Sequence, residues 1–351
     1  MSQTSLVIVP YRSFGTGDTL YVRGRVLHDE LPVAAEVEQS PWRNLRDTLR
    51  RIESDEARGV PLSVTCGAQS VQTITNNEGY FEAYLSPVTP SHDEDGWCIV
   101  TLAAPDAVAP DAGADVWLAQ AAGEVLIPPA TARFGVISDI DDTILQTQAT
   151  NLVRSAWVTL LQNAATRQPF PGVAALYRAL QRGVTGADHN PIFYVSSSPW
   201  NLYDFLIEFM QVRGIPAGPI FLRDYGIDML TQALSHDHKL DAMRRVLDAY
   251  PHLPFVLMGD SGQKDPELYT RLAEQYPGRV LAIYIRDVSG EKRDAAVDAM
   301  ATALRAQGVL LLRVADSLAA AQSAAAMGLI DSAALEVVRA ATPGEEGAHV
   351  A

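Results

Sequence analysis

With 351 residues, 48% of them hydrophobic, the chain can bury a sizeable core, and its length suits two domains better than one. A formal charge of −15 excludes nucleic acid as a main partner, because phosphate backbones are met by clustered Lys and Arg. Any anionic ligand must be met by local groups.

The opening Met1 to Pro10 lacks a basic segment followed by an apolar stretch of signal length, and no later run has the length of a membrane span. A cytoplasmic protein is expected. From residue 6 to about 126 the pattern is short β-rich runs, at 20–27, 70–75, 80–85 and 97–102, with the turn signal Asn76-Asn-Glu-Gly79 between two of them. This predicts a small β-sandwich, domain 1–130. A helix is expected to be inserted near 41–56, with Ser40 as N-cap and Pro41 in the first turn. On it Trp42, Leu45, Leu49 and Ile52 form one stripe at about 100° per residue, and Arg43, Arg46 and Arg50 fall beside that stripe. Such a helix either packs on its own protein or lies on anionic lipid; packing is the commoner use. Cys66 and Cys98 precede the acidic motif described next and read as two ordinary core cysteines rather than a disulfide or a thiol site.

The Pro- and Ala-rich stretch 127–132 reads as a link to a second domain, 131–341. Strand-like apolar runs at 134–138, 192–195, 220–222, 255–258, 280–285 and 309–314 alternate there with helical segments, which predicts a parallel sheet with crossover helices. The helical stretch 199–210 is expected to cover that sheet. Residues 342–351 read as a disordered tail.

The first of these strands runs into Asp139-Ile-Asp141-Asp142-Thr143. Residues two apart on a strand share a face, so Asp139 and Asp141 converge just past the strand end, where open α/β sheets bind ligands. One carboxylate can attack phosphorus while coordinating a hard cation, and the other can give a proton to the departing oxygen. A turn or helix cap explains one aspartate but not this arrangement. The strand at 192–195 leads into Ser196-Ser197-Ser198-Pro199, where Ser196 or Ser197 can take phosphate oxygens and Ser198 can cap a helix. The strand at 255–258 ends in Gly259-Asp260, a good position for a metal carboxylate, with Asp265 before Pro266 either a cap or a supporting group behind the metal ligands. Of 27 basic residues only Lys239, Lys264 and Lys292 are lysines, so Lys239, between these strands, stands out as a compact charge for a phosphoryl group. His236 and His238 read as a solvated turn, because no third nitrogen or sulfur ligand accompanies them.

This ordered set resembles the haloacid dehalogenase superfamily of phosphotransferases. The runs from Gly135 to Ile144, Phe193 to Leu202, Leu222 to Gly226, His238-Lys239, Gly259 to Glu267 and Ile283 to Asp287 further resemble the phosphatidate phosphatase family named for a fungal actin-patch protein. The resemblance implies a Rossmann-like core and Mg2+ dependence, and a β-sandwich is the kind of N-terminal partner that bacterial-type members carry. It makes Asp139 the nucleophile, Asp141 the acid/base, Thr143 and Ser196 phosphate-site residues, Lys239 the charge stabiliser and Asp260 a metal ligand beside Asp139 and Asp141. It implies phosphatidate as substrate and diacylglycerol as product, with peripheral contact to an anionic membrane. A phosphatase for a soluble phosphomonoester, and a binding module with a vestigial site, are the alternatives.

Overall fold

The computed structural model describes residues 4–30, 56–105, 118–141, 143–144, 169–223 and 237–342. The helix expected over 41–56, except for its last residue, and the tail from 343 lie outside them. The chain divides into two compact units, one built on the residues up to Pro128 together with Trp200–Phe205, the other on the remainder from Pro129. Among the described residues no helix is long and apolar enough to cross a membrane.

The first unit is made of strands β1 (Thr4–Gly15), β2 (Leu20–Glu30), β3 (Pro61–Cys66), β4 (Gln69–Ile74), β5 (Tyr80–Leu85), β6 (Trp97–Pro105) and β7 (Leu118–Leu126). They form one mixed seven-stranded sheet in the order β4-β3-β6-β7-β1-β2-β5, in which β1 and β7 run parallel and the other pairs antiparallel. The sheet curls until its two outer strands meet, where Thr73 Oγ1 on β4 donates to Glu82 O on β5 at 2.8 Å. Alternate residues point inward, as a half-buried strand requires, and Leu20, Val22, Val26, Leu62, Val64, Phe81, Val100, Leu102 and Val125 fill the interior. The turn signal is met: Asn76 Oδ1 accepts from the N–H groups of Glu78 and Tyr80, both at 2.9 Å, and Gly79 takes φ +77°. Cys66 and Cys98 are buried and unlinked, with sulfurs 3.7 Å apart. Burial, and then the neighbouring Cys66, push the Cys98 thiol up to about 12.

The second unit holds a six-stranded sheet of β8 (Gly135–Asp139), β9 (Ile192–Pro199), β10 (Ile220–Arg223), β11 (Phe255–Asp260), β12 (Val280–Arg286) and β13 (Leu310–Val314). Every pairing is parallel, and the order is β10-β9-β8-β11-β12-β13. Parallel neighbours need a crossover, and helices supply it: α1 (Val173–Arg182), α2 (Tyr203–Val212), α3 (Asp237–Ala249), α4 (Asp265–Gln275) and α5 (Glu291–Arg305) each separate two successive strands. Two more, α6 (Ser317–Ala326) and α7 (Ser332–Ala341), close the described chain. Strands buried on both faces read as continuous apolar runs, and every residue of β8 and β11 is buried.

Numbered within the unit, the strand order is 3-2-1-4-5-6, which reverses direction beside the central first strand. The crevice outside the carboxyl ends of β8 and β11 is therefore where this topology places a ligand. Asp139 closes β8 and Asp260 closes β11, so the fold carries both acids to that crevice.

Candidate active site

Asp139 is the last residue of β8 and is 1% exposed. Its Oδ1 accepts a hydrogen bond from Lys239 Nζ at 2.7 Å, and the same ammonium donates to Asp265 Oδ1 at 2.9 Å and lies 3.5 Å from Gln263 Oε1. Lys239 sits in the first turn of α3, and Asp265 in the first turn of α4, so two helix starts and one strand end clamp a single buried charge. The other oxygen of Asp139, Oδ2, is buried without a hydrogen-bond partner.

Asp260 repeats this division of labour. Its Oδ1 accepts the backbone N–H groups of Gly262 at 2.7 Å and Gln263 at 3.0 Å, while its Oδ2 is buried without a partner. Carboxylate oxygens of Asp139, Asp260 and Asp265 lie within 4.8 Å of one another. Asp265 has both oxygens engaged, Oδ1 by Lys239 and Oδ2 by the N–H of Asp260 at 3.3 Å. The two unpartnered oxygens thus belong to Asp139 and Asp260, and they are acceptors of the kind a hard cation takes. Asp265 joins Asp139 and Asp260 in this buried acidic group. It does not cap its helix: Lys264 is the N-cap residue, no side chain caps it, and the Asp265 carboxylate turns back to the sheet.

Asp141 lies past the end of β8 and is half-buried. Ser196 Oγ donates to its Oδ2 at 2.7 Å, and Ser198 Oγ donates at 3.2 Å. Ser198 was expected as a helix cap. It is not one, because β9 continues to Pro199 and a short 3-10 turn, Trp200–Leu202, precedes α2. The hydroxyl of Ser196 gives its one proton to Asp141 and accepts the N–H of Ser198 at 2.9 Å. Thr143 is 3% exposed and its Oγ1 has no partner. Ser197 is half-buried between the two serines that face Asp141. His238 is not in a solvated turn; it belongs to α3, and its Nε2 lies 3.2 Å from Ser196 O. His236 lies outside the described residues.

Two carboxylates, Asp139 and Asp265, therefore hold one ammonium, and the charges of Asp260 and Asp141 act on Asp139 as well. Burial pushes the Asp139 carboxyl well above its ordinary range, against the pull of Lys239, and the charges of Asp265, Asp141 and Asp260 add to the rise. Burial alone would lower the Lys239 ammonium, but Asp139 and Asp265 overcome this and raise it. Asp260 is pushed up to about 7, first by burial and then by Asp265, with Lys239 and the two loop N–H groups opposing. The group is short of positive charge, which a bound divalent cation would supply.

The site's stretch is matched in known proteins. Residues 134–287 match the family model described as phosphatidate phosphatase APP1, catalytic domain. Over 162 residues the chain is 36% identical to phosphatidate phosphatase APP1 of Saccharomyces cerevisiae, a match covering 46% of this chain and 27% of the yeast protein. It is 30% identical over 171 residues to an uncharacterized protein of Schizosaccharomyces pombe, again 46% of this chain and 27% of that one. The chain thus spans 27% of the length of each of these curated relatives. Among solved structures, a carbohydrate acetylesterase from Xanthomonas citri aligns at a TM-score of 0.32 and 10% identity, over 96% of this chain and 74% of that one, too low to bear on the fold.

The raised Asp260 carboxyl has a consequence for stability. An unfolded aspartate titrates near about 4, whereas in the metal-free folded protein Asp260 keeps its proton to about 7. Between those values the folded state binds more protons, so stability falls as pH rises through that window. The melting temperature in chelator should drop from pH 5 to pH 8, and Asp260→Asn should lessen the drop. Equal slopes in the two proteins would contradict this placement of Asp260.

Proposed function

We propose that the protein is a magnesium-dependent phosphatidate phosphatase, which hydrolyses phosphatidate to diacylglycerol and phosphate through an aspartyl-phosphate on Asp139. One observation carries the reading: Lys239 holds one oxygen of Asp139 and leaves the other unpartnered, in a buried acidic group with Asp260, which also keeps one oxygen unpartnered. The similarity to a yeast protein named as a phosphatidate phosphatase points to the substrate. In this reading residues 131–341 form a phosphatase domain with a haloacid dehalogenase-type core. Residues 1–130 form a β-sandwich accessory domain and 342–351 a tail.

The chemistry follows from the side chains. Lys239 holds Asp139 Oδ1, favours the ionised carboxylate against the effect of burial, and leaves Oδ2 free to attack phosphorus. That oxygen attacks, the bond from phosphorus to the glycerol oxygen breaks, and protonated Asp141 gives its proton to the departing oxygen. In the second half-reaction Asp141, now a carboxylate, takes a proton from water as the water oxygen attacks phosphorus, releasing phosphate and restoring Asp139. Ser196 and Ser198 hold Asp141 in place through both steps. Thr143, with its unpartnered hydroxyl, Ser196 and Ser197 are the phosphate-site residues of this reading. Magnesium held by Asp139 and Asp260 would offset the repulsion between carboxylate and phosphate.

The test is phosphate release from phosphatidate micelles against a panel of soluble phosphomonoesters. Wild type should prefer phosphatidate, lose turnover in chelator and regain it with magnesium. Asp139→Asn should lose all turnover; Asp141→Asn should lose most of it and, with an activated leaving group, accumulate phosphoenzyme. Near-normal rates in Asp139→Asn would refute the mechanism, and a preference for a soluble ester would refute the lipid substrate.

A protein of charge −15 meets an anionic membrane only through a local basic surface. The reading places the protein in the cytoplasm, with Arg43, Arg46 and Arg50 of the sequence-predicted helix as that surface. Basic residues near anionic lipid contribute about 1 kcal/mol each, so replacing all three with Gln should cost about 3 kcal/mol of membrane binding. Liposome binding and phosphatidate hydrolysis should fall together while a soluble ester is cleaved as before. Wild-type liposome binding by the triple variant would make the segment purely structural.

A further inference from the structure

Arg293 lies in the first part of α5, outside the stretch 134–287 that the family model matches. Its guanidinium meets four acceptors. Nε donates to Ser261 O at 2.9 Å, Nη2 donates to Gln263 O at 2.6 Å and to Glu267 Oε2 at 2.7 Å, and Nη1 donates to Glu267 Oε1. Ser261 and Gln263 belong to the loop 261–264 that joins β11 to α4, and Glu267 belongs to α4 itself. On its inner side the same loop aims the N–H groups of Gly262 and Gln263 at Asp260 Oδ1. The loop is thus held through its carbonyls by Arg293 while its amides hold Asp260. Further bonds steady its first residue, Ser261, whose Oγ accepts the N–H of Val288 at 3.0 Å and meets Ser289 Oγ at 2.7 Å.

We propose that Arg293, backed by Glu267, is a positioning residue that fixes loop 261–264 so that Asp260 presents Oδ2 to a divalent cation, and that it thereby sets cation affinity rather than the rate of the chemical step. The inference rests on the reading of Asp139 and Asp260 as cation ligands. The physical reason is specificity of orientation. With the loop loosened, Asp260 Oδ1 loses fixed donors and the carboxylate turns, so its unpartnered Oδ2 no longer keeps a fixed direction. Arginine suits the task because its rigid fork spans two carbonyls and a carboxylate at once, which an ammonium cannot do. The mutual bonding of the pair shows in its titration: the Glu267 carboxyl is held below its ordinary value, chiefly by the hydrogen bond from Arg293.

The test is calorimetric titration of the full chain with magnesium chloride or manganese chloride, alongside the magnesium dependence of phosphate release. Supporting side chains behind metal ligands typically contribute about 10- to 100-fold to affinity. Arg293→Ala should weaken cation binding at least about tenfold, with turnover at saturating magnesium reduced less than about twofold. Arg293→Lys should recover only part of the affinity, and Glu267→Gln should shift it in the same direction by less than Arg293→Ala. Where Arg293→Ala fails to fold, Glu267→Gln decides alone. Wild-type cation affinity in the variants, or a lowered turnover at unchanged affinity, would overturn the proposal. A wild-type protein that binds no cation would instead overturn the site reading beneath it.

Discussion

The Lys239 ammonium, buried between Asp139 and Asp265, is the interaction on which the rest of the site depends. Removing such charges from water costs several kcal/mol per ion, and the cost is met only where partners sit at hydrogen-bond distance from every side. That requirement fixes the geometry around it. Asp265 must stand immediately over the end of β11, so residue 259 must be glycine: a Cβ there would lie 2.6 Å from Asp265 Oδ2 and 2.8 Å from a ring carbon of Tyr269. Asp265 in turn accepts the N–H of Asp260, which ties the second acid to the same ion pair. Asp139, Lys239, Asp265 and Asp260 are one connected network, not separate side chains that share a crevice.

This network is deliberately unbalanced. One ammonium cannot neutralise Asp139, Asp141, Asp260 and Asp265. Burial raises Asp139 and Asp260, and the neighbouring carboxylates add to the rise. The site also separates two kinds of carboxylate. Asp139 and Asp260 each keep an oxygen without a partner, whereas Asp141, held by two serine hydroxyls, sits apart from the tightest acidic group and is suited to carrying a proton.

Much of this was legible in the sequence, and the reasons differ by element. The six strands of the parallel sheet could be read because a strand buried on both faces is an apolar run, and Asp139 and Asp260 stood out because acid ends such runs. Lys239 stood out because lysine is rare in this chain. Less legible was whatever depends on how far a strand continues. β9 extends through its serines to Pro199, which turns Ser198 from a cap into a partner of Asp141. β1, β3 and β7 were not singled out as strands, because in a sheet wrapped on itself their alternation is short and broken by Pro, Gly and Ala. Asp265 before a proline looked like a cap, since nothing local announces that Lys239, 26 residues earlier in the chain, is its partner. The arginine behind loop 261–264 carried no signal at all, because its four acceptors lie 26 to 32 positions away in sequence.

The stereochemical course at phosphorus tests the central claim, that Asp139 attacks and is later released by water. Two in-line displacements return phosphorus to its starting configuration, whereas direct attack by water inverts it. Hydrolysis in 18O-water of a phosphorothioate monoester made chiral with 16O and 17O should give thiophosphate with overall retention. Inversion would contradict a covalent intermediate and leave Asp139 a metal ligand or base instead.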